Sequence, residues 1–574
     1  MITGAQLFVK ALREEQVDTL FAYPGGQAID LFDALYGETE IEVVLPRHEQ
    51  GLVHAADGYA RSTGKVGVCL VTSGPGATNL VTGIATANYD SVPLVCFTGQ
   101  VPTGLIGNDA FQEVDITGIT RSICKYAVTV RRRDELAATI KKAFYIARTG
   151  KPGVVVVDLP KDIQREYGSD EYPDKVEIRG YKPNLSVHGG QIKKALETLN
   201  QAKKPVFLIG GGVNISHANE EMQKLVELTG VPVVTTMMGK GAIPTTHELY
   251  VGNIGIHGSY AANTAVSRCD VLFSIGTRFN DRITGKIGEF APHAAIIHVD
   301  IDSASISRNV VVDIPIVADA KMAIQALLEK AKPLDTGAWI EEIKSWNTQH
   351  PLAMKTEGMT PEKIIREINH SFDDAIIATD VGQNQLWAFQ FLELNGKKQM
   401  LTSGGLGTMG YGFPAGIGAK LGNPSRDVIV ITGDGGMQMN IQEMATAIVY
   451  ELPLIICIFN NGYLGNVRQW QELFFDRRYV STCLRFRKSC LTGCHTPSNG
   501  CPEYTPDFVR LAESYGAKGI RVTREEEIGA ALETAKHTVK VPTVIEFIID
   551  RKENVMPIVP PGHAIEDMMF YGEE

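Results

Sequence analysis

The sequence predicts an α/β protein made of three doubly wound parallel-sheet domains. Short β-branched runs alternate with helical patterns along the whole chain, which is typical of parallel sheets covered by helices. The length of 574 residues fits three or four domains of ordinary size. Two polar stretches, 166–186 and 332–359, have the composition of linkers and divide the chain into three parts.

These parts are an N-terminal domain over 1–165, a central domain over 187–331 and a C-terminal domain over 360–550, followed by a tail over 551–574. The first and third look like variants of one plan, since each has a Gly-rich turn between a strand and a long amphipathic helix (Ser73-Gly74-Pro75-Gly76 and Ser403-Gly404-Gly405). The predicted strands are 66–72, 93–98 and 153–159, then 205–209, 231–235, 270–275 and 295–300, then 375–378, 427–432, 454–459 and 543–548.

Composition excludes several classes of protein. With 44% hydrophobic and 21% charged residues, the chain resembles a soluble globular protein. A formal charge of −11 argues against a nucleic-acid partner, and no apolar run is long enough for a membrane helix. The first five residues lack a basic region and an apolar core, so we expect a cytoplasmic protein. Nine cysteines in this length do not indicate a disulfide scaffold.

The turn Gly433-Asp434-Gly435-Gly436 indicates an anion site with an unusual component. It follows an apolar strand and leads into the helical pattern 441–449, so glycine backbone and a helix N-terminus would favour a phosphate. Asp434 would repel a bare phosphate. A hard cation such as Mg²⁺ removes the conflict by bridging the carboxylate and the phosphates.

A second metal ligand is expected at the end of the next strand, in Asn460-Asn461-Gly462. Residues 436–459 are enough for a helix and a returning parallel strand. Both strand ends then open on the same edge of the sheet, where ligands bind in α/β folds. A lone Gly-Asp-Gly is often an ordinary turn, but the Asn-Asn pair at this spacing favours the metal–diphosphate interpretation.

This pair of motifs resembles the signature of thiamine-diphosphate enzymes. The resemblance implies that Asp434, Asn461 and the carbonyl of Tyr463 hold Mg²⁺. It also implies a carboxyl near the cofactor's aminopyrimidine, where a hydrogen bond promotes loss of the thiazolium proton. Arg47-His48-Glu49-Gln50 resembles the family's glutamate-bearing turn, so Glu49 is the expected catalytic acid and His48 a structural residue. The alternative for Glu49 is charge complementarity at a helix start.

From about Gly4 to Glu553 the chain resembles acetohydroxyacid (acetolactate) synthase large catalytic subunits of the biosynthetic type. The matching blocks include 23–26, 72–79, 111–113, 158–162, 402–410 and 468–470. The resemblance implies a substrate pocket of Gly26, Phe111, Gln112, Lys161, Arg282 and Trp470. The implied contacts of thiamine diphosphate are Glu49, Val381, Gly382, Gln383, Asn384, Gly407, Met409, Gly433, Asp434, Gly435, Gly436, Asn461, Tyr463, Leu464, Gly465 and Asn466.

Trp470 has a further implication. In this family a tryptophan here favours the larger 2-ketobutyrate as second substrate, since an aromatic surface can select one methylene by roughly 1–3 kcal/mol. An ordinary helix-face aromatic is the alternative interpretation of Trp470.

The central domain is expected to hold FAD in a structural role. A glycine triplet, 210–212, follows a strand, and Asp300 ends a later strand as ribose-binding acids do. The segments 255–258 and 276–282 resemble FAD-binding blocks of the family, with Arg282 meeting the substrate carboxylate. The implied FAD contacts are Lys151, Gly210, Gly211, Gly212, Ile256, His257, Gly276, Arg278, Arg282, Asp300 and Asp319.

Some positions depart from the family. Asn384 stands where a histidine is usual, Asn466 and Ile256 replace methionines, and Lys151 replaces an arginine. The departures bear on FAD affinity and substrate preference. The largest is an insertion over 483–503 that carries four cysteines and His495. Its spacing is not that of a standard zinc site, and reduced thiols in a solvated loop, a metal or Fe–S site, and a redox-switched disulfide all stay open.

The predicted activity is decarboxylation of pyruvate and condensation of the hydroxyethyl carbanion with pyruvate or 2-ketobutyrate, giving 2-acetolactate or 2-aceto-2-hydroxybutyrate for branched-chain amino acid synthesis. The resemblance implies a site between subunits, hence a homodimer or homotetramer, and a possible small regulatory subunit. A pyruvate oxidase-like flavoenzyme and a non-catalytic paralogue are the alternatives. A glyoxylate carboligase is disfavoured because that relative lacks the glutamate.

Overall fold

The computed structural model describes residues 1–184, 186–354, 357–490 and 501–572. It contains three six-stranded sheets, each parallel throughout and covered by helices, plus a short antiparallel pair of β1 (Ile2–Thr3) and β8 (Tyr167–Gly168). The predicted fold class is confirmed. The predicted strands are all present, with ends shifted by at most two residues.

The N-terminal sheet has the order β3-β2-β4-β5-β7-β6. Its strands are fully buried near the middle, so they read as continuous apolar runs. The strands are β2 (Thr19–Ala22), β3 (Glu42–Val44), β4 (Gly67–Val71), β5 (Leu94–Gln100), β6 (Tyr126–Thr129) and β7 (Val154–Pro160). The helices are α1 (Gly4–Glu14), α2 (Ile29–Ala34), α3 (Glu49–Thr63), α4 (Pro75–Thr78), α5 (Val81–Tyr89), α6 (Ile116–Thr120), α7 (Leu136–Arg148) and α8 (Lys161–Arg165).

The central sheet has the order β11-β10-β9-β12-β13-β14, which is the order of dinucleotide-binding sheets. Its strands are β9 (Pro205–Ile209), β10 (Val233–Thr235), β11 (Tyr250–Asn253), β12 (Val271–Ile275), β13 (Ala295–Asp300) and β14 (Ile314–Val317). Its helices are α9 (Gly189–Leu199), α10 (Gly211–Ile215), α11 (Asn219–Thr229), α12 (Tyr260–Arg268), α13 (Asp281–Thr284), α14 (Ala320–Leu328) and α15 (Gly337–Gln349).

The C-terminal sheet has the order β16-β15-β17-β18-β20-β19. Counted from the first strand of each domain, this is the order of the N-terminal sheet, so the expectation of one shared plan is confirmed. The strands are β15 (Ile376–Thr379), β16 (Gln399–Thr402), β17 (Val428–Gly433), β18 (Ile455–Asn460), β19 (Lys518–Val522) and β20 (Thr543–Ile548). The helices are α16 (Pro361–Ser371), α17 (Gln383–Phe391), α18 (Gly412–Gly422), α19 (Asp434–Met437), α20 (Met444–Val449), α21 (Gly465–Phe474), α22 (Phe508–Tyr515) and α23 (Ile528–Lys536).

Helices α3 and α18 bring the first and third domains together. They touch through glycines: a Cβ on Gly58 would lie 2.0 Å from the carbonyl oxygen of Ala415, and one on Gly418 would lie 1.8 Å from that of Ala55. No side chain larger than hydrogen fits there without separating the helices. This backbone contact fixes the two homologous domains against each other.

The polar segment 332–359 contains α15, which the composition did not reveal. Trp339 and Trp346 on this helix are buried and pack edge-to-face, with ring centroids 5.6 Å apart. Both belong to the apolar cluster of the central domain. Across the described residues, no helix is long and apolar enough to cross a membrane.

Candidate active site

A cavity opens at the carboxyl ends of β15, β17 and β18 in the C-terminal domain. Asp434 begins α19 directly after β17, and Asn461 follows β18, so both reach the cavity from adjacent strands. The lining residues are Val381, Gly382, Gln383, Asn384, Trp387, Met409, Gly433, Asp434, Gly435, Gly436, Phe459, Asn461, Tyr463, Leu464, Gly465, Asn466 and Val467. The cavity therefore collects most of the residues expected to hold the diphosphate.

The Asp434 carboxylate is buried and, among the residues that the structure describes, accepts hydrogen bonds from backbone amides alone. Its two oxygens accept from the amides of Gly462, at 2.8 Å, and Gly435, at 3.1 Å. Burial raises the pKa of Asp434 to about 7. A divalent cation at these oxygens would supply the missing positive charge, so the donor set fits Mg²⁺. No three His, Cys, Asp or Glu cluster among the described residues, so amide and backbone oxygens would complete such a site.

The two asparagines after β18 have different roles. Asn460 donates to the Glu546 carboxylate at 2.7 Å and accepts from the Gly462 amide at 3.1 Å, so it shapes the turn. Asn461 lines the cavity, where its Nδ2 donates to Gln383 at 3.1 Å and its Oδ1 accepts from the Tyr463 amide at 3.0 Å. Asn461 thus lies in the same cavity as Asp434, where the sequence analysis expects a second metal ligand.

Several residues of the cavity wall are glycines, because a side chain at these positions would clash with neighbouring groups or occupy the cavity. A Cβ on Gly436 would lie 2.3 Å from the Asp380 carboxylate, and one on Gly465 would lie 2.0 Å from Gln383 Oε1. A Cβ on Gly433 would meet nothing closer than Asn384 Oδ1, at 3.6 Å, so that backbone faces open space. Such a cradle of bare backbone suits a diphosphate.

Asp380 organises the cavity and was missed by the sequence analysis. Its carboxylate is buried and accepts from the amides of Val381 (2.8 Å), Gly410 (3.0 Å) and Gly412 (3.0 Å). Burial raises its pKa to about 6. One side chain thus ties the turn after β15 to the glycine-rich loop before α18. Its only signal in the sequence is an acid at a strand end, which is too common to single out.

Asn384 lines the cavity and also braces its wall. Its Nδ2 donates to the carbonyls of Asp380 and Ile431, each at 3.1 Å. The amide therefore links the ends of two strands, and its oxygen lies toward Gly433.

Glu49 lies at a second place, on the carboxyl edge of the N-terminal sheet. It is the first residue of α3, which His48 caps by accepting from the Gln50 amide at 3.1 Å. The Glu49 carboxylate accepts from Asn79 Nδ2 at 2.9 Å. Glu49 lines neither the diphosphate cavity nor the larger cleft described below.

A carboxylate from the C-terminal domain holds the turn that carries Glu49. Glu443 is buried, and its oxygens accept from the amides of Arg47 (3.0 Å) and His48 (3.0 Å) and from the Thr446 hydroxyl (2.6 Å). No local pattern in the sequence marks Glu443, since the backbone amides that it holds are 395 and 396 positions away.

The remaining substrate-pocket candidates of the N-terminal domain surround the same edge. Lys161 Nζ donates to the Gly26 carbonyl at 2.6 Å. Gln112 has a positive φ of 61° and packs against Gly74. Phe111 is 83% exposed, which is rare for a phenylalanine and marks an uncovered apolar surface. The structure thus groups these residues with Glu49, apart from Asp434.

A large cleft of about 1230 Å³ lies between the central domain and the other two. It exceeds the volume of most small-ligand pockets, so it can hold a dinucleotide. Ten of the eleven expected FAD residues line it: Lys151, Gly211, Gly212, Ile256, His257, Gly276, Arg278, Arg282, Asp300 and Asp319. Gly210 does not; a Cβ there would lie 2.1 Å from the Gly276 carbonyl oxygen, so this glycine serves the packing of β9 on β12.

Burial shifts the pKa values of two ionisable groups that line the cleft. Burial lowers the pKa of His257 to about 4, so its imidazole is neutral. Burial raises the pKa of Asp300 to about 6, and its carboxylate accepts from the Asp302 amide at 2.8 Å. Thr277 has a buried hydroxyl with no hydrogen-bond partner in the described residues.

The cleft and the diphosphate cavity share a wall. Val381, Gly382 and Asn466 line both, and Gly407 lines the cleft. Arg282, also in the cleft, places its guanidinium 5.5 Å from the centre of the Trp470 ring. An always-charged group and a large aromatic therefore lie together near the junction of the two spaces.

The insertion over 483–503 is only partly described, since 491–500, with Cys494 and His495, lie outside the described residues. Cys483 and Cys490 are half-buried thiols outside any disulfide. Thr482 and Leu484 pair with the turn after Asn461 through two backbone hydrogen bonds. The Leu464 amide donates to the Thr482 carbonyl at 2.8 Å, and the Leu484 amide donates to the Gly462 carbonyl at 2.9 Å. The insertion therefore begins directly beside the diphosphate cavity.

Comparison with known proteins places the chain in a family. Three family models match it: the thiamine pyrophosphate enzyme N-terminal TPP binding domain over residues 2–119, the central domain over 192–327 and the C-terminal TPP binding domain over 380–547. The matches follow the three sheets of the structure.

Curated relatives match almost the whole chain. A probable acetolactate synthase large subunit of Methanocaldococcus jannaschii is 46% identical over 581 residues, which cover 99% of this chain and 95% of the relative. One of Methanococcus aeolicus is 45% identical over 591 residues, with the same coverage. The acetolactate synthase isozyme 3 large subunit of Escherichia coli is 42% identical over 582 residues, covering 99% and 98%. The chain therefore belongs to the acetolactate synthase large-subunit family of thiamine pyrophosphate enzymes.

Proposed function

We propose that this chain is an acetolactate synthase that decarboxylates pyruvate and joins the two-carbon unit to pyruvate or 2-ketobutyrate. The products are 2-acetolactate and 2-aceto-2-hydroxybutyrate, precursors in branched-chain amino acid synthesis. The observation that carries the proposal is the shared wall of the two spaces: a cavity lined by Asp434 and Asn461 on one side, and Arg282 with Trp470 beside the junction.

Thiamine diphosphate, when bound, would supply a nucleophilic carbon for the decarboxylation of a 2-ketoacid. Asp434, Asn461 and the Tyr463 carbonyl would hold Mg²⁺ against its diphosphate. The bare backbone at Gly433 would admit the phosphates closely. Burial of Asp434 supports this assignment, because a buried carboxylate without a cation is unfavourable.

Arg282 and Trp470 would select the second substrate. The Arg282 guanidinium would pair with the carboxylate of an incoming 2-ketoacid. The Trp470 ring would provide apolar surface for the extra methylene of 2-ketobutyrate, worth roughly 1–3 kcal/mol. The preference for 2-ketobutyrate over pyruvate remains part of this proposal.

Glu49 would act on a cofactor held by another copy of the chain. It lies on the N-terminal half-site with Asn79, while the diphosphate cavity of the same chain does not include it. Pairing two copies about a two-fold axis would join each Glu49 to the partner copy's diphosphate cavity, with the exposed Phe111 covered in the process. We therefore propose a homodimer or a homotetramer built from such dimers.

FAD would occupy the large cleft as a structural cofactor, since the reaction has no net redox change. The volume of the cleft and the strand order of the central sheet support a dinucleotide.

The relatives are named large subunits, which supports a smaller regulatory partner for this chain too. The cytoplasmic location stays a prediction from the sequence.

The test is product identification with purified protein, pyruvate, 2-ketobutyrate, thiamine diphosphate and Mg²⁺, with and without FAD. We expect both acetohydroxyacids, and none from a Glu49→Gln variant that still binds the cofactor. Oxygen or quinone reduction in place of condensation would assign a pyruvate oxidase instead. Cofactor binding without any product would indicate a non-catalytic paralogue.

A further inference from the structure

Two thiols of the insertion share one guanidinium beside the diphosphate cavity. Arg551 Nη2 lies 3.5 Å from the sulfur of Cys483, and the Arg551 side chain also hydrogen-bonds the thiol of Cys501. Both cysteines are half-buried, so solvent reaches them. The sulfurs are thus held around a single planar group although residues 484–500 separate them in the sequence.

Hydrogen bonds from two arginine side chains to backbone carbonyls hold the two ends of the insertion side by side. Arg485 Nη2 donates to the Cys501 carbonyl at 3.2 Å, and its Nε donates to the Pro502 carbonyl. Arg487 Nη2 donates to the Glu503 carbonyl at 3.0 Å. None of these contacts involves residues 491–500. The proximity of Cys483 and Cys501 is therefore a property of the described chain.

The same segment is paired with the turn that borders the cavity. Cys483 lies opposite Tyr463 in an antiparallel bridge. The bridge is flanked by backbone hydrogen bonds from the Leu464 amide to the Thr482 carbonyl and from the Leu484 amide to the Gly462 carbonyl. Arg551 continues the contact: its Nε donates to the Asn461 carbonyl at 3.2 Å, and its guanidinium lies 4.6 Å from the centre of the Tyr463 ring. A covalent bond at Cys483 would act directly on this pairing.

We propose that Cys483 and Cys501 form a reversible disulfide by exchange with a low-molecular-weight disulfide, and that the bond, by tying the 482–484 segment to residue 501, restricts the separation of this segment from the 462–464 turn. One cysteine sulfur attacks the small disulfide and releases one small thiol, leaving a mixed disulfide. The second cysteine sulfur then attacks the first and releases the other small thiol. The two protein thiols lose two electrons and two protons, which the small disulfide gains on becoming two thiols.

A second cysteine pair in the molecule provides an internal comparison. Cys69 and Cys96 lie opposite each other on β4 and β5 and are completely buried. Proximity alone would favour oxidation there equally. Because a small disulfide cannot reach that pair in the folded protein, selective reaction at Cys483 and Cys501 would reflect exposure together with proximity.

The experiment treats the holoprotein, with thiamine diphosphate and Mg²⁺ present, with glutathione disulfide and maps peptides without reduction. We expect a cross-linked Cys483–Cys501 peptide that dithiothreitol removes, while Cys69 and Cys96 stay unmodified. Cys483→Ser and Cys501→Ser should each abolish the cross-link, and Cys490→Ser, the matched control within the insertion, should leave it. In the wild-type chain, glutathione adducts without a cross-link, a cross-link to Cys490, or no reaction would each overturn the proposal. The test therefore does not depend on the folding of the variants.

Hydrogen exchange tests the second part of the proposal. Closing a loop of this size restricts its opening, so the Leu464 and Leu484 amides should exchange about 10- to 100-fold more slowly in the oxidised protein. Equal exchange rates in the oxidised and reduced proteins would overturn this second part. Neither readout depends on catalysis, so this inference can fail or hold independently of the proposed activity.

Discussion

Glu443→Ala tests how the C-terminal domain positions the turn that carries Glu49. The buried carboxylate accepts from the amides of Arg47 and His48, both at 3.0 Å, and its removal leaves two backbone donors without a protein partner. An unsatisfied donor costs about 1–3 kcal/mol, or roughly 2–6 kcal/mol for two. Water can reach part of this half-exposed turn, so we expect about 2–4 kcal/mol.

The assay measures the hydrogen-exchange rates of the backbone amides of residues 47 and 48 and then the catalytic turnover rate. A local loss of 2–4 kcal/mol corresponds to exchange faster by roughly 30- to 1,000-fold. Turnover should fall as well, because Glu49 loses its fixed position. Glu443→Gln keeps one acceptor oxygen and should lie between wild type and Glu443→Ala. Gln442→Ala is the neighbouring control, since Gln442 donates only within the C-terminal domain, to Asn440. Unchanged exchange in Glu443→Ala would refute the positioning role.

Three further predictions concern pH, domain contact and flavin. Burial raises the pKa of Asp158 to about 6, so its contribution to stability is present below about pH 4 and is lost as the pH rises to about 6. The stability of wild type relative to Asp158→Asn should fall by about 3 kcal/mol over that window, measured from unfolding midpoints; a constant difference would contradict it. Gly418→Ala should destabilise the chain by about 3 kcal/mol or more in thermal unfolding, since a Cβ would lie 1.8 Å from the Ala55 carbonyl oxygen; a wild-type midpoint would show that α3 and α18 can separate freely. Gly276→Ala, at φ 67°, should retain less FAD in a fluorescence assay of bound flavin, with Gly288→Ala, whose Cβ meets no atom within 4 Å, as control; equal retention would argue against FAD in this cleft.

The sequence was most informative where the end of a strand combines glycines, which leave the backbone accessible, with polar side chains that can bind a metal. Gly433-Asp434-Gly435 and Asn460-Asn461 predict a metal–diphosphate site because parallel strands bring their carboxyl ends to one edge. The structure brings Asp434, Asn461 and most of the other expected diphosphate residues into one cavity. The sheets were predictable for a similar reason, since strands buried on both faces appear as continuous apolar runs.

Only the tertiary structure could identify the residues that act through distant partners. Asp380, Glu443 and Arg551 each contact backbone or side chains from other segments, and no local pattern marks such contacts. Long-range packing also decided the role of each glycine in the triplet: Gly210 allows the close approach of the Gly276 carbonyl, whereas Gly211 and Gly212 line the cleft. Local sequence thus determined the fold class, the strands and the chemistry at strand ends. Glu49 begins α3, and the packing of α3 on α18, a contact between backbones that no residue type encodes alone, sets the position of this helix relative to the C-terminal domain.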